Sequence, residues 1–149
     1  MNIQFMQEAL TLAHLAQSID EVPVGAVIVS NGEIIGRGYN LREKSGDCTR
    51  HAEIIAIQEA SKAVGGWRLI GCDMYVTLEP CPMCAGAAIN SRIERVIFGA
   101  SDSKAGSCGS VVNLFDLPYN HKPEIISGVL ADKCGSLLTD FFRELRKRK

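Results

Sequence analysis

Apolar positions near the start of the chain recur at helical spacing, at Ile3, Met6, Leu10, Ala13 and Ala16. The spacing predicts an amphipathic helix over residues 3–19. The pattern then changes. VPVGAVIVS (22–30) and EIIGRGYN (33–40) are β-rich runs joined at Asn31-Gly32, a pair that accepts the positive φ values of a tight hairpin. Polar LREKSGDCT (41–49) leads into a predicted helix from near His51 through IIAIQEASKAV to Gly65-Gly66. DMYVTLE (73–79) reads as a short strand, CPMCAGAAINS (81–91) as a helix starting at its cysteines, and RVIFGA (95–100) as a further strand. After the Gly/Ser-rich loop SDSKAGSCGS (101–110), PEIISGV (123–129) gives a last short strand. A helix over 130–147 follows, with Leu130, Cys134, Leu137, Leu138, Phe141, Phe142 and Leu145 on one face. No repeat or linker interrupts this alternation, so residues 1–149 are expected to form one α/β domain, a central sheet with helices on both faces.

Composition narrows the setting. The chain is 46% hydrophobic and 22% charged, ordinary for a soluble globular protein. No stretch approaches the roughly 18 apolar residues of a membrane span. The N-terminus has neither a basic start nor a small-residue cleavage site, so no signal peptide is expected. Six cysteines in so ordinary a composition point to a reducing cytoplasm, where Cys-x-x-Cys means metal or redox chemistry. Net charge is −1, but FFRELRKRK (141–149) carries five bases and one acid. Such a cationic end suits an anionic partner. It equally suits a solvated last helical turn whose cations complement the helix dipole.

The chemistry gathers at two places. Pro80-Cys81-Pro82-Met83-Cys84 puts two thiols one turn apart at a helix start, where the positive end of the helix favours thiolates. His51 opens the other helix. Both starts follow the sheet, at the edge where α/β proteins build sites. His51, Cys81 and Cys84 suit Zn²⁺. Cys48, Cys72, Cys108, Cys134, His14 and His121 make no second ligand pair, so the fourth position is expected to hold water, as in a catalytic site. Glu53, two residues past His51, then acquires a role. It can take a proton from that water and deliver it elsewhere. Taken alone, it would be an acid favoured in a first helical turn.

The combination H-x-E…P-C-x-x-C is the signature of zinc nucleobase deaminases. Beyond it, the chain resembles the bacterial tRNA-specific adenosine deaminases. The resemblance runs through VPVGAVIV (22–29), Gly38-Tyr39-Asn40, HAEIIAI (51–57), YVTLEPCPMCAGA (75–87), SRIERVIFGA (91–100) and LTDFFREL (138–145). GASDSKAGSCGS, NHKPEI (120–125) and the FFR tail narrow it to the RNA-acting branch. It implies a cytidine deaminase-like fold, a three-layer α/β/α sandwich around a five-stranded mixed sheet. It implies one zinc per subunit and conversion of adenosine to inosine at the wobble position of a tRNA anticodon. Hydroxide on the zinc would attack C6, Glu53 would carry protons, and ammonia would leave. By the same resemblance Asn40 meets the base edge, and Asp102 and Lys104 meet the sugar-phosphate around the flipped base. Phe141, Phe142, Arg143 and Arg146 lie on the helix against the anticodon loop, and periodicity makes at least one of the two rings core. A homodimer in the cytoplasm is implied, with an anticodon stem-loop as partner and neither DNA nor membrane.

Two departures surround the substrate mouth. Asp47-Cys48-Thr49-Arg50 precedes His51 where bacterial members commonly have Asp-Pro-Thr-Ala, and Ala105 stands where threonine is frequent. The Thr-Arg-His-Ala-Glu form resembles the catalytic subunit of the eukaryotic enzymes. Two other readings compete with the tRNA enzyme. A free-base or nucleoside deaminase would share the zinc chemistry and need no cationic tail. A non-catalytic zinc RNA-binding module would have a fourth protein ligand and tolerate loss of Glu53.

Overall fold

The structure, a computed structural model, describes residues 1–148; Lys149, the last of the cationic tail, lies outside them. Asn31 and Gly32 take φ values of 51° and 78°, the left-handed values of a two-residue type I′ turn. The turn joins β1 (Gly25–Ser30) to β2 (Glu33–Tyr39), with Ser30 paired to Glu33. β3 (Asp73–Leu78), β4 (Arg95–Ala100) and β5 (Glu124–Ile126) complete a sheet of order β2-β1-β3-β4-β5. β1 runs antiparallel to β2 and β3, while β3, β4 and β5 are parallel. At the start of the parallel pair Asp73 faces Arg95, and their side chains form an ion pair at 2.6 Å that holds the register.

Residues alternate along the strands and fill two core layers. Met6, Ala9, Leu10 and Ala13 of α1 (Ile3–Ser18) and Leu137 of α5 (Ala131–Lys147) pack on Val27, Val29, Tyr75 and Ile97. On the other face, α3 (Ala52–Val64) and α4 (Pro82–Asn90) bring Ala52, Ala56, Ala60, Ala85 and Ala88 onto Ala26, Ile28, Met74, Val76, Val96 and Phe98. This is the expected three-layer α/β/α sandwich. α3 lies unusually close to its strand. A methyl added at Gly36 would sit 2.2 Å from the Ala56 carbonyl, and one at Gly38 2.2 Å from the Ala52 carbonyl. Two missing side chains on β2 thereby set the height of the helix that begins beside His51.

Several elements differ from expectation. The polar stretch 41–49 contains a short helix, α2 (Arg42–Ser45), and a 3-10 turn (Leu114–Asp116) is capped by the Asn113 side chain. The last strand contracts to three residues. On α5 the buried stripe is Cys134, Leu137 and Phe141, whereas Phe142 and Leu145 are 40% and 38% exposed. Seven apolar positions span more of the helix than the sheet covers, so the flanking ones reach its rim. No helix among the described residues is long and apolar enough to cross a membrane.

Candidate active site

Two helices start at one point. His51 is the N-cap of α3, and Cys81 is the N-cap of α4 with Pro82 in the first turn. Neither side chain caps its own helix; they turn to one another instead. His51 Nδ1 lies 3.6 Å from Cys81 Sγ and 3.5 Å from Cys84 Sγ. In a tetrahedral zinc site with ordinary Zn–N and Zn–S bonds, nitrogen and sulfur ligands stand about 3.5 Å apart. The spacing therefore fits zinc. Among the described residues this cluster has three members. Cys48 is exposed, while Cys72, Cys108 and Cys134 are buried elsewhere as free thiols. His14 points outward from α1, and His121 Nε2 donates to the Ile93 carbonyl at 2.7 Å.

The centre is pre-polarised for a cation. The Cys84 thiol hydrogen-bonded to Cys81, and His51 beside the same sulfur, pull the Cys81 thiol down to about 4. That contact with Cys81 raises His51 and, together with burial, raises Cys84. A metal entering here displaces protons, as thiolate ligation requires. Glu53 sits in the first turn of α3 and is 4% exposed. Burial pushes its carboxyl up to about 7, the range suited to giving and taking protons at neutral pH.

A cavity of about 480 Å³ opens over this centre. His51, Glu53 and Cys81 line it together with Val22, Val24, Asn40 and Arg42, the segment Ser101–Ala105, and Leu138 and Phe142 from α5. The segments before β1 and after β2, β3 and β4 meet at the C-terminal edge of β3 and β4, and α5 covers them from the side. Asn40 is 7% exposed. Its Nδ2 donates to the Val22 carbonyl at 3.2 Å and its Oδ1 accepts from Arg42 N at 3.1 Å, which leaves one amide hydrogen uncommitted. Asp102 Oδ1 accepts from Lys104 N and Ala105 N, fixing the loop that carries Lys104. The structure thus gathers the zinc ligands, Glu53, Asn40, Asp102, Lys104 and Phe142 at one cavity. Phe141 is buried and does not line it; its ring meets Phe142 edge-on with centroids 5.5 Å apart. Arg143 and Arg146 also lie off the cavity, further along α5.

Sequence reasoning missed two acids. Glu21 is fully buried and accepts from Glu43 N at 3.0 Å and Lys44 N at 2.6 Å, tying down α2 beside Arg42. Glu79, two residues before Cys81, is 2% exposed and lines the cavity. Burial pushes its carboxyl up, yet the Ser110 hydroxyl and the amides of Asp102, Ser110 and Cys108 outweigh this and hold it low. The only signal available was its place inside Thr-Leu-Glu-Pro-Cys.

A buried acid beside a His/Cys/Cys centre, at the helix starts of a mixed sheet, defines the class of zinc-dependent nucleobase deaminases. Residues 1–100, which hold all four of those groups, match the cytidine and deoxycytidylate deaminase zinc-binding region. The chain is 54% identical to the tRNA-specific adenosine deaminase of Bacillus subtilis, covering 97% of this chain and 91% of that one. To its counterpart in Haemophilus influenzae it is 48% identical, covering 98% and 86%. A structure solved in studies of A-to-I editing by tRNA:A34 deaminases superposes with a TM-score of 0.89 at 43% identity, over 92% of this chain and 100% of that chain. A guanine deaminase of Bacillus subtilis follows at a TM-score of 0.66 and 37% identity, covering 82% of each chain. The chain belongs to the zinc-dependent cytidine and deoxycytidylate deaminase family and, within it, to the tRNA-specific adenosine deaminases.

Proposed function

We propose that this chain deaminates adenosine to inosine at the wobble position of a tRNA anticodon, acting as a single catalytic domain, as a homodimer and in the cytoplasm. The observation that carries the reading is the cavity itself. At about 480 Å³ it has room for a purine, has Glu53, His51 and Cys81 in its lining with Cys84 buried behind them, and has Phe142, Lys104 and Arg42 around it. When bound, zinc supplies the Lewis acidity that makes a nucleophile from water near neutral pH.

The chain's own groups account for the rest. Water adds its oxygen to C6, the exocyclic C–N bond breaks and ammonia leaves. Glu53 takes one proton from the water and gives it to N1 as oxygen adds. It then moves the remaining hydroxyl proton to the departing nitrogen so that the C6 carbonyl of inosine forms, a double task suited to a carboxyl near pH 7. The free amide hydrogen of Asn40 is available to an acceptor on the base edge. The cavity takes one base, so a looped nucleotide must swing out of its stack at a cost of a few kcal/mol. Lys104 and Arg42 offset that cost at flanking phosphates, and the half-exposed ring of Phe142 offers a stacking surface. Phe141 seats that ring, and Arg143 and Arg146 extend the cationic surface along α5.

The test is to incubate zinc-loaded protein with an anticodon stem-loop bearing wobble adenosine and to map inosine by sequencing. Conversion at that one position is expected, with little turnover of free adenosine. Deamination of free guanine, adenine or cytosine with no inosine in the stem-loop would give the site to a free-base enzyme instead.

A further inference from the structure

The loop 101–110 has no helix or strand to hold it, yet it lines the cavity and carries Asp102 and Lys104. Four donors from this loop converge on one side chain. Glu79 Oε1 accepts from Asp102 N at 3.0 Å and from the Ser110 hydroxyl, and Oε2 accepts from Cys108 N and Ser110 N, each at 3.0 Å. The loop is wound so tightly about this group that a methyl at Gly106 would stand 2.4 Å from the Glu79 carboxyl carbon and 2.4 Å from the Asp102 carbonyl. The other backbone bonds run along the loop or to the segment after it (Gly106 N to the Asp102 carbonyl, Gly109 N to Val112, Val111 N to Gly106, Leu114 N to Ser107), and one, Ser107 N to the Pro80 carbonyl at 2.9 Å, ties the loop to the start of α4.

The geometry points to Glu79 as a positioning residue for substrate. Its carboxylate is the template on which loop 101–110 folds, and it sets where Asp102 and Lys104 stand at the cavity. This rests on the deaminase reading above for what enters the cavity, but the folding of the loop does not depend on it. The chemistry requires a group that only accepts. Glutamine has the same shape. In its better orientation its oxygen keeps Cys108 N and Ser110 N, while its NH₂ turns to the Ser110 hydroxyl, which can accept, and to Asp102 N, which has no lone pair to offer. The bond from Asp102 N would be lost and the Ser110 hydroxyl forced to reverse, leaving the Asp102 amide facing a second donor. Neither Glu53 nor the His51, Cys81 and Cys84 centre loses a contact in that exchange. The consequence is a division of labour within one short run of chain. Cys81 and Cys84 serve the metal, while Glu79, two residues earlier, serves the grip on the substrate.

Two measurements on the zinc-loaded full-length protein test this. In Glu79→Gln, amide hydrogen exchange should accelerate at least 10-fold at Asp102, and in Glu79→Ala at Asp102, Cys108 and Ser110 together, while β3, β4 and α4 keep their protection. With the anticodon stem-loop, KM should rise about 10-fold or more and kcat should fall by less than about 3-fold, at unchanged zinc content. Gly106→Ala, which leaves the carboxylate in place but forces the loop off it, should give the same KM-weighted loss and covers the case in which Glu79→Gln fails to fold. Wild-type exchange rates in the loop of a folded Glu79→Gln protein would overturn the template. A loss confined to kcat in both variants would overturn the positioning role. Were the wild-type protein inactive on the stem-loop, the substrate reading would fall, and the exchange arm would still decide the loop.

Discussion

If Glu53 moves the proton, Glu53→Ala should keep its zinc and bind the stem-loop normally, yet turn over roughly 10²- to 10⁴-fold more slowly, the range of a general acid–base group. Near-normal turnover would remove it from the mechanism. Single residues were unevenly legible in the sequence. His51, Cys81, Cys84 and Glu53 could be read because their chemistry depends on type and spacing, which a sequence displays. Glu21 and Glu79 could not. An acid in a loop or at a strand end reads as solvated, and only the folded chain shows amide hydrogens closing around each carboxylate. Phe141 and Phe142 show the intermediate case. Periodicity says that one of the adjacent rings is core, and the sheet's edge decides that it is Phe141.

At the level of elements, the Asn31-Gly32 turn and the helix running from near His51 to Gly65-Gly66 were plain in the sequence, because each rests on local sterics or on period. α2, the 3-10 turn and the true extent of β5 were not, because side-chain caps and neighbouring strands define them. The seating of α3 on β2 has a measurable consequence. Gly38→Ala would drive a methyl to 2.2 Å from the carbonyl of Ala52, next to His51. Overpacking of this kind costs about 1–3 kcal/mol, and the helix start is the part able to yield. Zinc affinity, followed by competition with a chromogenic chelator, should fall roughly 10-fold or more as His51 is lifted away from the two sulfurs. Unchanged affinity alongside a lowered melting temperature would mean that the strain is released elsewhere.

On the scale of the whole molecule, binding of RNA should weaken as salt is added, because each neutralised phosphate releases counterions. Arg143, Lys147 and Arg148 stand 3.0–3.3 Å from Asp140, Glu144 and Asp20. Exposed pairs of this kind are worth at most about 1 kcal/mol and can exchange their partner for phosphate. Removing residues 143–149 should therefore weaken stem-loop binding and lower the slope of log K against log salt by about 1–2, with zinc retained. An unchanged slope would place the phosphate contacts elsewhere. The metal centre has a further effect on the molecule as a whole. His51 and Cys81 are 30 positions apart along the chain, so a cation joining them closes a ring that takes in all of α3, the exposed turn after it, and β3. Because these ligands converge only in the folded chain, the cation's binding free energy adds to the stability of the fold, about 4 kcal/mol at a free concentration roughly 1,000 times its Kd, quite apart from any catalysis. Stripping the metal with a chelator should accordingly lower the melting temperature by about 10 °C, and Cys81→Ala should melt like the stripped protein whether or not zinc is supplied.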